Sequence, residues 1–134
     1  MATVTSDKCS AGVQPHGLRV GLVSTTATYS PNGSMSTGDV IQMIKVPKGA
    51  QVVDLKVAYK LTGQGSYIVG DGISTSRYMT ATLGSVAAGI GVMTSTTFTP
   101  YTYSTDDTID ITLSTSVNPS SGSVIMIATI NLDP

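Results

Sequence analysis

Residues 104–113 read Ser-Thr-Asp-Asp-Thr-Ile-Asp-Ile-Thr-Leu, an acidic turn that opens into strict alternation of apolar and polar side chains. Successive side chains of a pleated strand point to opposite faces, so Ile109, Ile111 and Leu113 share one face and Thr108, Asp110 and Thr112 the other. The pattern predicts a half-buried antiparallel strand over 108–114. The same period runs through 50–61, where Val53, Leu55, Val57, Tyr59 and Leu61 alternate with Asp54, Lys56, Ala58 and Lys60. Five apolar residues at spacing two would wrap around a helix instead of forming one stripe, which argues against helix here. The presence of 20 Thr, 17 Ser, 14 Val and 10 Ile beside no Glu points the same way, because β-branched residues favour strands and strong helix formers are scarce.

Turn chemistry divides the remainder. Residues 1–16 carry no sustained period and read as an N-terminal arm whose order depends on a partner, leaving 17–134 as one β-sandwich domain. Leu18, Val20 and Leu22 share a face that continues into Ser24, Thr26 and Thr28, the pattern of a strand leaving the core over 17–29. Ser30-Pro31-Asn32-Gly33 and Pro47-Lys48-Gly49 are turns. Between them, 39–46 is apolar on both faces, with Ile41 and Met43 on one and Val40, Ile44 and Val46 on the other, which predicts a strand covered on both sides.

Short strands follow at 66–69 and 76–83 around Gly70-Asp71-Gly72. The Ala- and Gly-rich stretch 84–93 is compatible with a loop or a short helical turn over 85–88. Residues 96–103 return to β character, with Pro100 placing them at an edge or bulge. The last strand, 123–132, directs Val124, Met126, Ala128, Ile130 and Leu132 one way, and the Asn118-Pro119 turn before it predicts an antiparallel hairpin with 108–114. About eight strands without crossover helices predict an all-β antiparallel sandwich, a jelly roll, with an extended N-terminal arm.

Charged residues are only 11% of the chain and the net charge is −1, so long-range steering is weak. Lysine and arginine are scattered and tryptophan is absent, which argues against a nucleic-acid partner. No apolar run approaches the roughly 20 residues that span a bilayer, and no membrane role is expected. The low charge leaves a neutral surface prone to association, which favours a component of an assembly.

No catalytic constellation stands out. His16 and Cys9 are each the only residue of their kind, and both fall in the arm, away from a rigid base and orienting partner. Asp106, Asp107 and Asp110 lack the spacing of a cation loop and read as turn and strand residues, as Asp71 does between two glycines. The Gly-x-Gly spacings precede no helix that would make a phosphate site. Catalytic residues, metal ligands and cofactors are therefore not expected.

Contact is the remaining function. Tyr67, Tyr78, Tyr101 and Tyr103 are candidates for a stacking or partner surface, and Lys48 and Arg77 for pairing with acidic groups on a partner. Arm residues Val4, Cys9, Val13 and His16 complete the partner-binding set with Lys48, Arg77, Tyr78 and Tyr101.

Val46-Pro47-Lys48-Gly49-Ala50, Gly70-Asp71-Gly72 with Arg77-Tyr78, residues 106–111, and the Ser121-Gly122 turn together resemble small virion proteins of tailed bacteriophages, in particular capsid decoration, or cement, proteins. The resemblance covers roughly 46–132. It implies a jelly-roll subunit on the capsid exterior, made in the host cytoplasm, that bridges neighbouring major capsid proteins as a dimer or trimer and performs no chemistry. Multivalent contact would make modest interfaces add. Two other readings stay open: a carbohydrate- or receptor-binding module of a phage tail, and a tail or head-completion component.

Overall fold

The computed structural model describes residues 2–10, 21–30, 34–61, 65–84, 89–92, 101–114 and 122–132. Among them are nine strands and one short helical turn: β1 (Thr3–Thr5), α1 (Asp7–Ser10), β2 (Leu22–Tyr29), β3 (Val40–Val46), β4 (Gln51–Leu61), β5 (Gly65–Gly70), β6 (Met79–Gly84), β7 (Gly89–Val92), β8 (Asp107–Leu113) and β9 (Gly122–Asn131). They form two sheets, one ordered β1-β3-β8-β5-β6 and the other β2-β9-β4-β7.

Four antiparallel pairs nest inside one another along the chain. β2 pairs with β9, β3 with β8, β4 with β7, and β5 with β6. Successive pairs fall in alternate sheets, and β4 also joins β9 while β5 joins β8. That nesting is an eight-stranded jelly roll, as the turn spacing predicts, with β1 added as a ninth strand. The inner faces supply the core: Ile41, Ile44, Leu55, Val57, Val69, Ile109, Ile111, Val124, Met126 and Ile130 are fully buried. Each large aliphatic side chain buried there stabilises the fold by about 1.5–3 kcal/mol.

Two bulges explain departures from simple alternation. In β3 the register shifts between Gln42 and Ile44, so Ile44 and Val46 rejoin the buried face of Ile41, while Val40 stays half-buried. The two-faced apolar run is thus a phase change in one buried face, not a strand covered equally on both sides. In β4 the shift falls between Val52 and Asp54; Val52 enters the core and Val53 is left half-buried.

Other expectations are corrected by topology. β8 and β9 lie in different sheets, so they are not a hairpin; a turn signal marks reversal of the chain without saying which sheet receives it. In β2 the inward residue is Ala27, whereas Leu22, Ser24 and Thr26 face solvent, Leu22 being 66% exposed. Leu18 and Val20 lie outside the described residues, as do 85–88 and Pro100. Tyr101–Tyr103 is loop, not strand, apart from a single bridge between Thr102 and Gln51.

The arm is the largest difference. Residues 3–5 pair in parallel with 40–42 of their own chain, instead of waiting for a partner. Ala2 N–H donates to Asp39 Oδ1 at 2.9 Å, Ser6 N–H to the Gln42 carbonyl at 2.8 Å, and Ser6 Oγ to the Met43 carbonyl. Asp7 Oδ1 then accepts from Thr28 N–H on β2 at 2.8 Å. The segment is a strap across the side of the sandwich where β2 is a sheet edge and β1 covers the outer side of β3.

Candidate functional site

One end of the sandwich is built from three loops that hold each other still. The first, 47–50, is a tight turn: Ala50 N–H donates to the Pro47 carbonyl at 3.2 Å, and Gly49 has φ +87°, the geometry of a type II turn, which favours glycine at that position. It is stitched to residues 101–106. Gly49 N–H donates to the Tyr103 carbonyl at 2.7 Å, Tyr103 N–H to the Ala50 carbonyl at 3.0 Å, and Lys48 N–H to Asp106 Oδ1 at 2.8 Å.

The third loop joins β5 to β6 and is organised by Asp71, which is 1% exposed. Asp71 Oδ1 accepts from Ile73 N–H at 2.9 Å and Ser74 N–H at 2.7 Å, which winds the chain into a turn. Asp71 Oδ2 accepts from Arg77 Nε at 2.5 Å and from the Tyr103 hydroxyl at 2.9 Å. The Tyr103 hydroxyl also lies 2.5 Å from that of Tyr78. The chain packs so closely here that a Cβ on Gly70 would stand 2.1 Å from the Ser74 carbonyl oxygen, so only glycine fits. Arg77 lies over the Tyr101 ring, 3.6 Å from its centroid, and Tyr101 meets Tyr103 edge to face at 5.1 Å.

The electrostatics follow from burial and partners. Burial alone would raise the Asp71 carboxyl, but Arg77, the Ser74 and Ile73 N–H groups and the Tyr103 hydroxyl together hold it below the usual carboxylate range. Burial pushes Tyr78 up to about 12, and pushes Tyr103 up with the neighbouring Tyr78 adding to it. On β8, Asp110 is 7% exposed and accepts a hydrogen bond from Thr108 Oγ1 at 2.6 Å. Burial raises its carboxyl to about 6, opposed by the Thr108 bond and reinforced by the charges of Asp107 and Asp71.

Four of the expected contact residues meet at this end. Lys48 is exposed, Arg77 and Tyr101 are half-buried, and Tyr78 is buried within the network, where it supports the loop without facing outward. The strap holds two more: Val4 packs half-buried against the core, and Cys9 is buried, its thiol pushed up by that burial. Val13 and His16 lie outside the described residues. Tyr67, Tyr78 and Tyr103 are all buried, so these three cannot form a stacking platform for sugars.

Sequence reasoning missed the large apolar residue that this end exposes among the described residues, Ile73, 64% exposed in the Asp71 turn. The signal was an aspartate whose side chain could close on the backbone two and three residues ahead. Chemically, the end offers a preorganised surface of one apolar tip beside Lys48, Arg77 and Asp106. Among the described residues no group of three or more His, Cys, Asp or Glu is placed to hold a metal ion, and no helix is long and apolar enough to cross a membrane.

No protein-family model matches the sequence, and no curated protein matches it. Solved structures do share the fold. A chain in the capsid of Ralstonia phage GP4 superposes with a TM-score of 0.77 at 14% identity, over 99% of this chain and 99% of that one. A chain of the cyanophage Pam1 capsid asymmetric unit gives 0.66 at 21% identity, over 90% and 91%. A chain of the acid-stable capsid of Helicobacter pylori bacteriophage KHP30 gives 0.52 at 12% identity, over 84% and 95%. The fold is therefore that of a jelly-roll chain found in phage capsid structures.

Proposed function

We propose that this chain is a structural virion protein that binds the outer surface of a phage capsid and bridges neighbouring major capsid proteins, stabilising the shell. The observation that carries the reading is the likeness of fold to a chain of the Ralstonia phage GP4 capsid, over 99% of both chains. The pinned loop end supports it, because a surface held rigid before contact loses little conformational entropy on binding. Ile73 is the apolar anchor of that contact, with Lys48 and Arg77 beside it, and the major capsid protein is the partner. Two or more such contacts made by one subunit would add to each other's strength.

Copy number tests the reading. Purified particles of the virus encoding this chain should carry it in numbers comparable to the shell protein, on the outside in a particle reconstruction. Twelve or fewer copies, or a position confined to the tail, would overturn it. Particles stripped of the chain should rebind it saturably, and Ile73→Asp should weaken that rebinding by at least tenfold; unchanged affinity removes the loop tip from the interface.

A further inference from the structure

The strap is bound as a ligand would be. Every hydrogen bond described between residues 2–7 and the sandwich goes to residues at least 21 positions away: Thr28, Asp39, Val40, Gln42 and Met43. The receptor is therefore complete without the covalent link. Its main part is the outer edge of β3, a seven-residue strand whose N–H and C=O groups need a neighbour if they are not to pair with a stray chain. The strap satisfies that edge through only three ladder pairs, Thr3 with Val40, Val4 with Ile41 and Thr5 with Gln42. Local opening of so short an edge ladder is far easier than unfolding the sandwich. The ten residues from 11 to 20 that join strap to sandwich can reach about 35 Å when extended, against a radius of gyration of about 14 Å for a domain of this length.

We propose that the β3 edge is an interaction surface between copies of this chain, on which the N-terminal strap of a second copy docks in place of the resident one. Exchange preserves each contact: Ala2 reaches the neighbour's Asp39, Ser6 the neighbour's Gln42 and Met43 carbonyls, Asp7 the neighbour's Thr28. The two states differ only in connectivity, so crowding of copies decides between them. The proposal concerns contact between copies and stands apart from shell binding.

Cysteine pairs in the full-length chain test it. Thr5 and Gln42 are ladder partners at the sheet edge, with Thr5 exposed and Gln42 half-buried. Chains carrying Thr5→Cys with Cys9→Ser are mixed in solution with chains carrying Gln42→Cys with Cys9→Ser under a glutathione redox buffer. The mixed disulfide is expected to form at least tenfold faster than for a control in which the second chain carries Ser24→Cys, a position on the outer face of β2. A rate equal to the control overturns the proposal. Should either variant fail to fold by circular dichroism, Thr3→Cys with Val40→Cys makes the same comparison. Because no capsid is present, a negative result bears on strap exchange alone.

Discussion

Asp71 is central to the loop end, since both of its oxygens are occupied by donors, three from its own loop and one from Tyr103. Replacing it by Asn removes the charge opposite Arg77 and turns an acceptor into a donor facing other donors. Asp71→Asn should cost about 3 kcal/mol in denaturant unfolding, in the range for breaking a buried pair. Asp110 has the opposite sign. Its carboxyl lies at about 6 in the folded chain against 3.8 when unperturbed, so between those values the unfolded chain has ionised while the folded chain keeps its proton. The folded state binds the extra proton, and stability falls as pH rises through that window by about 3 kcal/mol. Asp110→Asn mimics the neutral acid and should recover about 2 kcal/mol at pH 7.5 while leaving stability at pH 4 nearly unchanged, as unfolding at the two pH values would reveal. The contribution of Asp71 is present above the ordinary aspartate range and is lost as pH falls below it, because its folded value is depressed.

Among the elements, the strap is held at its start by Asp39, whose carboxylate accepts from Ala2 N–H and Ser36 N–H and is kept below the usual range by those two bonds. Asp39→Ala should free the strap, and the buried Cys9 reports it: maleimide labelling of the native thiol should accelerate at least tenfold. Strands such as β8 and β9 were legible in the sequence because one clean face is buried along each, with Ile109, Ile111 and Leu113 in the first and Val124, Met126, Ala128 and Ile130 in the second. The bulges at Gln42/Ile44 and Val52/Asp54 were not, since a single inserted residue shifts the phase without a compositional mark. The strap was illegible because a three-residue strand has no period to detect, and its anchors, Asp39 and Met43, are more than thirty residues distant. At the loop end Lys48, Arg77 and Tyr101 were visible by type, but their convergence depends on β3, β5 and β8 being neighbours.

As a whole the molecule is dominated by pairings between distant parts of the chain. Leu22 lies opposite Asn131, and Val40 opposite Thr112, so the outer strand pairs cannot form until most of the chain has collapsed. Loop closure must precede those contacts, and the chain should refold with time constants of about milliseconds to seconds or longer, measurable by stopped-flow fluorescence of its tyrosines. The few charges leave any contact it makes only weakly dependent on salt.

The stitched end also determines how this body would carry a load. The turn at 47–50 leads from β3 into β4, Asp71 follows β5, and residues 101–106 lead into β8, so tension applied at Ile73 divides among strands of both sheets. Those strands would be stressed along their length, where ladder bonds must yield together, instead of being peeled apart one at a time. One carboxylate and its four donors thus tie the β5–β6 loop to the segment that enters β8, so neither can be displaced without the other.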